Sequence, residues 1–205
     1  MARLLALHPV TPQERLLGQI VLTLREGGVI VLPTDSSYAL ACLTGQRDAV
    51  ERIIRIRQLD PRHNMTLLCR DLSDISTYAR MDNAAYRLIK RLTPGAYTFL
   101  LRATKDVPRR LQHPQKKTIG LRVPADKRAL AVLEMLREPL LSTSLILPGE
   151  TLPETDPGEI DHKIGKLVDL IIDGEAGGLE PTSVLDLTTG VFKIVRQGRG
   201  DTSMI

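Results

Sequence analysis

Val29-Ile30-Val31-Leu32-Pro33-Thr34-Asp35-Ser36-Ser37-Tyr38-Ala39-Leu40-Ala41-Cys42-Leu43 contains two apolar runs separated by a polar loop. The first run is continuous and β-branched, which reads as a strand buried on both faces, and Tyr38 to Leu43 reads as a second strand. Upstream, Thr11-Pro12-Gln13-Glu14 reads as a capping box with proline at the first helical position. Leu16, Leu17, Ile20, Val21 and Leu24 follow at helical spacing, and Gly27-Gly28 should end that helix.

Downstream, residues 48–57 interleave Val50, Ile53, Ile54 and Ile56 with Arg and Glu, giving a short helix that closes in a basic turn. Further helices are expected at 82–92, 127–137 and 156–166. Strands are expected at 66–70, 97–101, 119–123, 140–144, 168–172, 184–187 and 192–195. Thr93-Pro94-Gly95 breaks the chain before one of these strands. Helices and strands intermix without a linker, repeat or low-complexity tract. Residues 1–205 therefore read as one α/β or α+β domain with a mixed sheet. Residues 145–155 (LILPGETLPET) read either as a loop over a site or as a plain surface connection.

At 205 residues the chain is long enough to bury a sizeable core. With 42% apolar and 25% charged residues and a mean hydropathy of -0.05, it belongs with globular chains, not disordered or membrane ones. No apolar run approaches the ~18–20 residues that cross a bilayer, and the first residues lack a signal-peptide pattern, so a cytoplasmic location is expected. Cys42 and Cys69 lack a CxxC spacing and give neither a disulfide framework nor a zinc site. Aromatics make up 3% of the chain, which leaves few platforms for base stacking.

Charge is segregated along the chain. Residues 105–128 carry eight Lys/Arg against Asp106 and Asp126, whereas residues 134–190 carry twelve Asp/Glu against three bases. Such asymmetry fits a surface facing an anionic partner, or an ordinary solvated face.

Common catalytic signatures are missing: there is no GxxxxGK[ST], HExxH or GxSxG. The four histidines lie about fifty residues apart, and no metal site is expected. What stands out is a series of hydroxyl and guanidinium groups at strand ends: Thr34, Arg55 and Arg57, Thr118 and Arg122, Ser142 to Ser144, Thr182 and Ser183, and Arg196. Arginine offers bidentate donors to phosphate or carboxylate, and hydroxyls orient a ligand without added charge. A phosphate-rich ligand suits that set.

The order Val29-Ile-Val-Leu-Pro-Thr-Asp-Ser-Ser-Tyr-Ala-Leu40, Arg55-Ile-Arg57, Thr93-Pro-Gly-Ala-Tyr-Thr98, Thr118-Ile-Gly-Leu-Arg-Val-Pro124, Leu141-Ser-Thr-Ser144 and Pro181-Thr-Ser-Val-Leu-Asp-Leu187 resembles the YrdC family, within it the YciO branch. The resemblance runs from about Pro9 to Gly198. It implies a YrdC-like twisted open mixed α/β sheet, flanked by helices around a basic concave cleft. It also implies the activity of the family's threonylcarbamoyl-AMP synthases. These join L-threonine, bicarbonate and ATP into threonylcarbamoyl-adenylate and pyrophosphate, for modification of tRNA. By the same resemblance, Thr34, His63, Arg122 and Thr182 hold threonine, and Thr118, Ser142, Ser144 and Arg196 hold the nucleotide. Arg55 and Arg57 act in catalysis, and Mg2+ is held mainly by the ATP phosphates. Such chemistry rests on positioning and cationic charge.

Two positions depart from the synthases, which carry Lys-x-Arg where this chain has Arg55-Ile56-Arg57 and Ser-x-Asn where it has Ser144-Leu145-Ile146. Isoleucine removes a donor and an acceptor, and weak synthase activity is expected. The competing reading is a non-catalytic module that binds tRNA or double-stranded RNA in the same cleft. In both readings Arg109, Arg110, Lys116 and Lys117 are the expected RNA contacts.

Overall fold

The structure is a computed structural model, and it describes residues 1–60, 63–203 and 205. In chain order its elements are β1 (Arg3–Ala6), α1 (Glu14–Arg25), β2 (Ile30–Leu32), β3 (Ala39–Leu43), α2 (Arg47–Arg57), β4 (Thr66–Leu68), α3 (Leu72–Tyr78), β5 (Ala79–Arg80) and α4 (Asn83–Leu92). There follow β6 (Tyr97–Ala103), β7 (Thr118–Arg122), α5 (Lys127–Leu136), β8 (Leu140–Ser144), α6 (Pro157–Ile164), β9 (Leu170–Asp173), β10 (Ser183–Asp186) and β11 (Lys193–Arg196). The strands form one open mixed sheet in the order β1-β9-β2-β3-β8-β4-β7-β6-β10-β11, with β5 paired to β6.

The expected apolar strand is fully buried, and its side chains alternate between two cores. Val29 and Val31 join the cluster with Val50 and Ile53 of α2. Ile30 and Leu32 join the cluster with Ile20 and Leu24 of α1 and Val132 and Leu133 of α5. Burial on both sides is what a continuous, non-alternating run encodes.

The capping box is not formed. α1 begins at Glu14 with Gln13 as its N-cap, and no side chain caps it. Thr11 Oγ1 instead meets His8 Nδ1 at 2.9 Å, and Gln13 Oε1 accepts from the His8 N–H at 3.1 Å. Local side-chain bonds before the helix have won over the cap. The sequence reading also passed over β1, α3 and β5. β1 is an edge strand with no fully buried side chain. α3 is seven residues long and is started by Asp71, whose carboxylate accepts from Ser73 and Asp74 N–H.

One face of the sheet changes character along its strands. Under α5, Leu43, Leu68 and Leu140 fill the apolar cluster. Two or four residues along the same strands, on the same face, stand Ala39, Thr66, Ser142 and Ser144. Where helices no longer cover the sheet, leucine gives way to small and hydroxylic side chains, and a polar floor results. Among the described residues no helix is long and apolar enough to cross a membrane.

Candidate active site

The polar floor opens into a cavity of about 250 Å³ lined by residues from β3 at one side to β11 at the other. In a flat sheet, strands six places apart lie about 29 Å from each other at ~4.8 Å spacing. Ala39 and Val195 nevertheless line the same cavity, so the sheet curls around it.

Three arginines converge there, Arg57, Arg122 and Arg196, and no carboxylate is among the described lining residues. Arg57 is the last residue of α2, where Gln58 turns the chain with φ 48. Its Nε is buried with no partner, and burial lowers its pKa. Arg122, at the end of β7, is 6% exposed and lies against the loop after β2. Its Nη2 donates to Asp35 Oδ1 at 2.7 Å and its Nη1 to Ser36 Oγ at 2.9 Å, while Nε has no partner. Burial pulls the Arg122 pKa down and the Asp35 carboxylate works against that shift. Arg196 is anchored at one edge, where Nε and Nη2 donate to the Thr182 carbonyl at 3.0 and 2.9 Å. Arg196 is exposed at the surface, and partial desolvation of its guanidinium lowers its pKa.

The neutral groups complete the wall. Thr182 Oγ1 and Thr98 Oγ1 share a hydrogen bond of 2.8 Å. Ser142 Oγ donates to the Thr66 carbonyl at 3.2 Å. His63 sits exposed at the cavity mouth, 3.5 Å from Thr143 Oγ1. Partial desolvation, then Arg57 and Arg196, push its imidazole below the ordinary range, so it is neutral near pH 7. Thr34 reaches the wall, but its hydroxyl donates to the Ser37 carbonyl at 2.6 Å and accepts from Ser36 N–H at 3.2 Å. It therefore holds the loop that carries Asp35. Gly120 leaves the floor open: a Cβ there would stand 2.9 Å from Thr66 Oγ1 and 3.2 Å from Thr98 Cγ2.

Thus Thr34, Arg57, His63, Arg122, Ser142, Ser144, Thr182 and Arg196 are brought together, and Ile146 lines the same cavity. Two expected members are not. Arg55 stands two residues before Arg57 and hence about 200° around the helix. It is exposed, in a groove with Arg52 and Lys166. Thr118 is buried at the far end of β7, about 13 Å from Arg122 by strand rise, and lines no part of the cavity. Arg109, Arg110, Lys116 and Lys117 lie in the β6–β7 connection, also outside the lining. Arg110 Nη2 donates to the Thr44 carbonyl and Lys117 Nζ to that of Pro114, both at 2.8 Å. Asn64 was missed: its Oδ1 is buried without a partner at the cavity wall. An isolated polar residue in an irregular segment carries no sequence signal.

A curled α/β sheet that brings three guanidiniums over a hydroxyl floor has the chemistry that suits a compact anionic ligand. The chain belongs to the Sua5/YciO/YrdC family, whose family model, described as telomere recombination, matches residues 22–198. It is 55% identical over 201 residues to the uncharacterized protein YciO of Escherichia coli K12, covering 98% of both chains. The crystal structure of E. coli YciO superposes with a TM-score of 0.96 over 99% of this chain and 98% of that one. A threonylcarbamoyl-AMP synthase of Stenotrophomonas maltophilia is 34% identical over 87% of this chain and 97% of its own. The fold is shared with P. abyssi Sua5 complexed with L-threonine, at 23% identity and a TM-score of 0.86, over 97% of this chain and 57% of that one.

Proposed function

We propose that the cavity is the active site of a threonylcarbamoyl-AMP synthase-type enzyme of the cytoplasm, acting on ATP, L-threonine and bicarbonate. The observation that carries this reading is Arg57, a guanidinium with a buried, unpartnered Nε in a cavity whose described lining residues include no carboxylate. Desolvating such a group is unfavourable until an anion arrives, so the free protein is prepared for phosphate or carboxylate. The named relatives support the particular substrates.

In the reaction, bicarbonate releases CO2 and hydroxide. The threonine amine adds to the CO2 carbon and gives up one proton to the hydroxide, leaving a carbamate and water. A carbamate oxygen then bonds to the α-phosphorus of ATP. The α–β bridging P–O bond breaks, and pyrophosphate leaves with that electron pair. No protein nucleophile is required. Arg122, held by Asp35 and Ser36, presents its Nε side to the amino-acid carboxylate. Arg57 and Arg196 bear on the phosphates, where negative charge accumulates as pyrophosphate departs. Ser142 and Ser144 supply neutral donors. About 250 Å³ falls short of the ~300–1,000 Å³ of sites enclosing drug-sized ligands, so the reacting centre lies inside and the adenosine toward the mouth. The described lining offers Mg2+ no carboxylate, so the cavity is not itself a Mg2+ site and the ion would come with the ATP phosphates.

The RNA-module reading places RNA in this same cleft, with Arg109, Arg110, Lys116 and Lys117 of the β6–β7 connection expected to line the approach to it. The deciding experiment is incubation with ATP, L-threonine and bicarbonate. Pyrophosphate release that requires threonine, and is lost in Arg122→Ala, supports the enzyme. Release that ignores threonine refutes it.

A further inference from the structure

The connection from β9 to β10 contains no helix or strand, yet it bears on the cavity wall. Gly177 packs on the Asp35 backbone, and its N–H donates to the Thr34 carbonyl at 2.8 Å. Gly174, Gly177 and Gly178 give this segment more backbone freedom than residues with a Cβ would, and Gly178 uses it at φ 134. Such a segment does not fix its own shape. Donors from three other parts of the chain fix it.

Tyr38, just before β3, donates its phenol to the Gly174 carbonyl. Arg128, in the first turn of α5, donates Nη2 to the Glu175 carbonyl at 2.6 Å. Arg199 donates Nη1 to the Gly177 carbonyl and its backbone N–H to the Pro181 carbonyl, the latter at 2.9 Å. Arg128 is itself held, since Nε and Nη2 donate to the Asp126 carboxylate at 3.1 and 2.6 Å. Gly174 lies so close to this guanidinium that a Cβ there would collide with Nη1. The same turn reaches the Asp35 loop directly, because Ala125 donates its N–H to Asp35 Oδ1. The start of α5 thus grips the Asp35 carboxylate and, through Arg128, the segment that presses on the Asp35 backbone.

Hydrogen bonds from charged donors are the strong ones, so two guanidiniums on adjacent carbonyls make a stiff hold. We propose that Arg128 and Arg199 are positioning residues of the cavity: they fix the glycine-rich connection and so hold Asp35, and through it Arg122, where an amino-acid carboxylate is received. Neither is among the described lining residues. Arg57 and Arg196 are held elsewhere, at the end of α2 and on the Thr182 carbonyl, so loosening the connection reaches the Arg122 side alone. The carboxylate role of Arg122 rests on the proposed synthase activity, whereas the hold on Arg122 does not.

The test follows the Arg122 Nε–H resonance, identified by its absence from Arg122→Lys, in the isotope-labelled, ligand-free protein. Calorimetric titrations with L-threonine and, separately, with ATP accompany it. Arg128 is buried, so Arg128→Met is paired with Arg199→Gln, which alters an exposed side chain and should fold. Each variant should shift the resonance and weaken threonine binding by about tenfold or more, the scale of a hydrogen bond to a charged group, while ATP binds as to the wild type. Arg199→Lys keeps a cationic donor and should retain both the resonance and the affinity. A merely structural role would weaken both ligands together by lowering the folded fraction, and that result overturns the inference. So does an unmoved Arg122 resonance in folded Arg199→Gln. A shifted resonance in a protein whose wild type binds no threonine upholds the hold on Arg122 and overturns the synthase reading instead.

Discussion

Arg122 and Asp35 form an ion pair of 2.7 Å between side chains that are 7% and 17% exposed, and Asp35 Oδ1 also accepts from the Ala125 N–H at 2.9 Å. The carboxylate thus sets where the guanidinium stands in the cavity wall. Removing it leaves a buried cation without compensation, so Asp35→Ala should cost about 3–5 kcal/mol. Denaturant unfolding of Asp35→Ala beside Arg122→Met/Asp35→Leu checks this. The double variant should recover most of the loss, because no buried charge is left unpaired.

The loop carrying Asp35 is pressed from outside by Gly177, whose N–H donates to the Thr34 carbonyl at 2.8 Å. A Cβ at Gly177 would collide with the Asp35 carbonyl. Gly177→Ala should therefore destabilise by about 1–3 kcal/mol, as overpacked sites do, and also weaken threonine binding by displacing Arg122. Calorimetric titration with threonine in the presence of nucleotide reads the second effect. Unaltered affinity would show that the loop tolerates the shift.

Arg57 should trade stability for binding. Because its buried Nε has no partner, Arg57→Met removes a desolvation cost of about 1 kcal/mol. For a chain of this size the melting temperature of the ligand-free protein should rise by roughly 2–4 °C. The same variant should lose ATP binding. A fall in melting temperature would mean that Arg57 is satisfied in the free protein.

Ile146 is half-buried at the cavity wall, so an amide there can reach solvent or ligand. Ile146→Asn is expected to stay within about 0.5 kcal/mol of the wild type. It should raise threonine-dependent pyrophosphate release by about 10–100-fold, the scale on which positioning acts. A stable variant with no gain in turnover would refute the positioning role assigned to an amide at this place.

His63 gives the stability a pH dependence with a definite sign. Its folded pKa is depressed below that of the unfolded chain. Between the two values the unfolded state binds more protons, so stability falls as pH drops below about 6.5 and levels off under the folded pKa. Melting curves from pH 5 to 8 should show this in the wild type and a flatter profile in His63→Gln. An anionic ligand in the cavity should raise the His63 pKa, readable as a shift of the imidazole NMR titration.

Much of this protein is determined by the order of its residues. The unbroken run Val29–Leu32 can only be a strand covered on both faces, since an exposed face would demand alternation, and it is covered on both. The helices over 47–57, 83–92 and 127–136 follow from apolar spacing. Hydroxyls inside otherwise apolar strands, Thr66 and Ser142 among them, already mark where a face is polar, because such groups are unfavourable in a dry core. Other features exist only in three dimensions. Whether Thr11 caps a helix was decided by His8, a competing partner for the same hydroxyl. Arg55 and Arg57 look equivalent in the chain, but the helix turns one to the cavity and the other to solvent. Arg122 reads as a free cation until the fold brings up Asp35, 87 residues away. The convergence of Arg128 and Arg199 on one glycine-rich connection depends on packing between distant segments and leaves no local mark on either. Spacing along a chain specifies what lies within a turn or two of a helix or strand; what neutralises a charge is settled by tertiary packing.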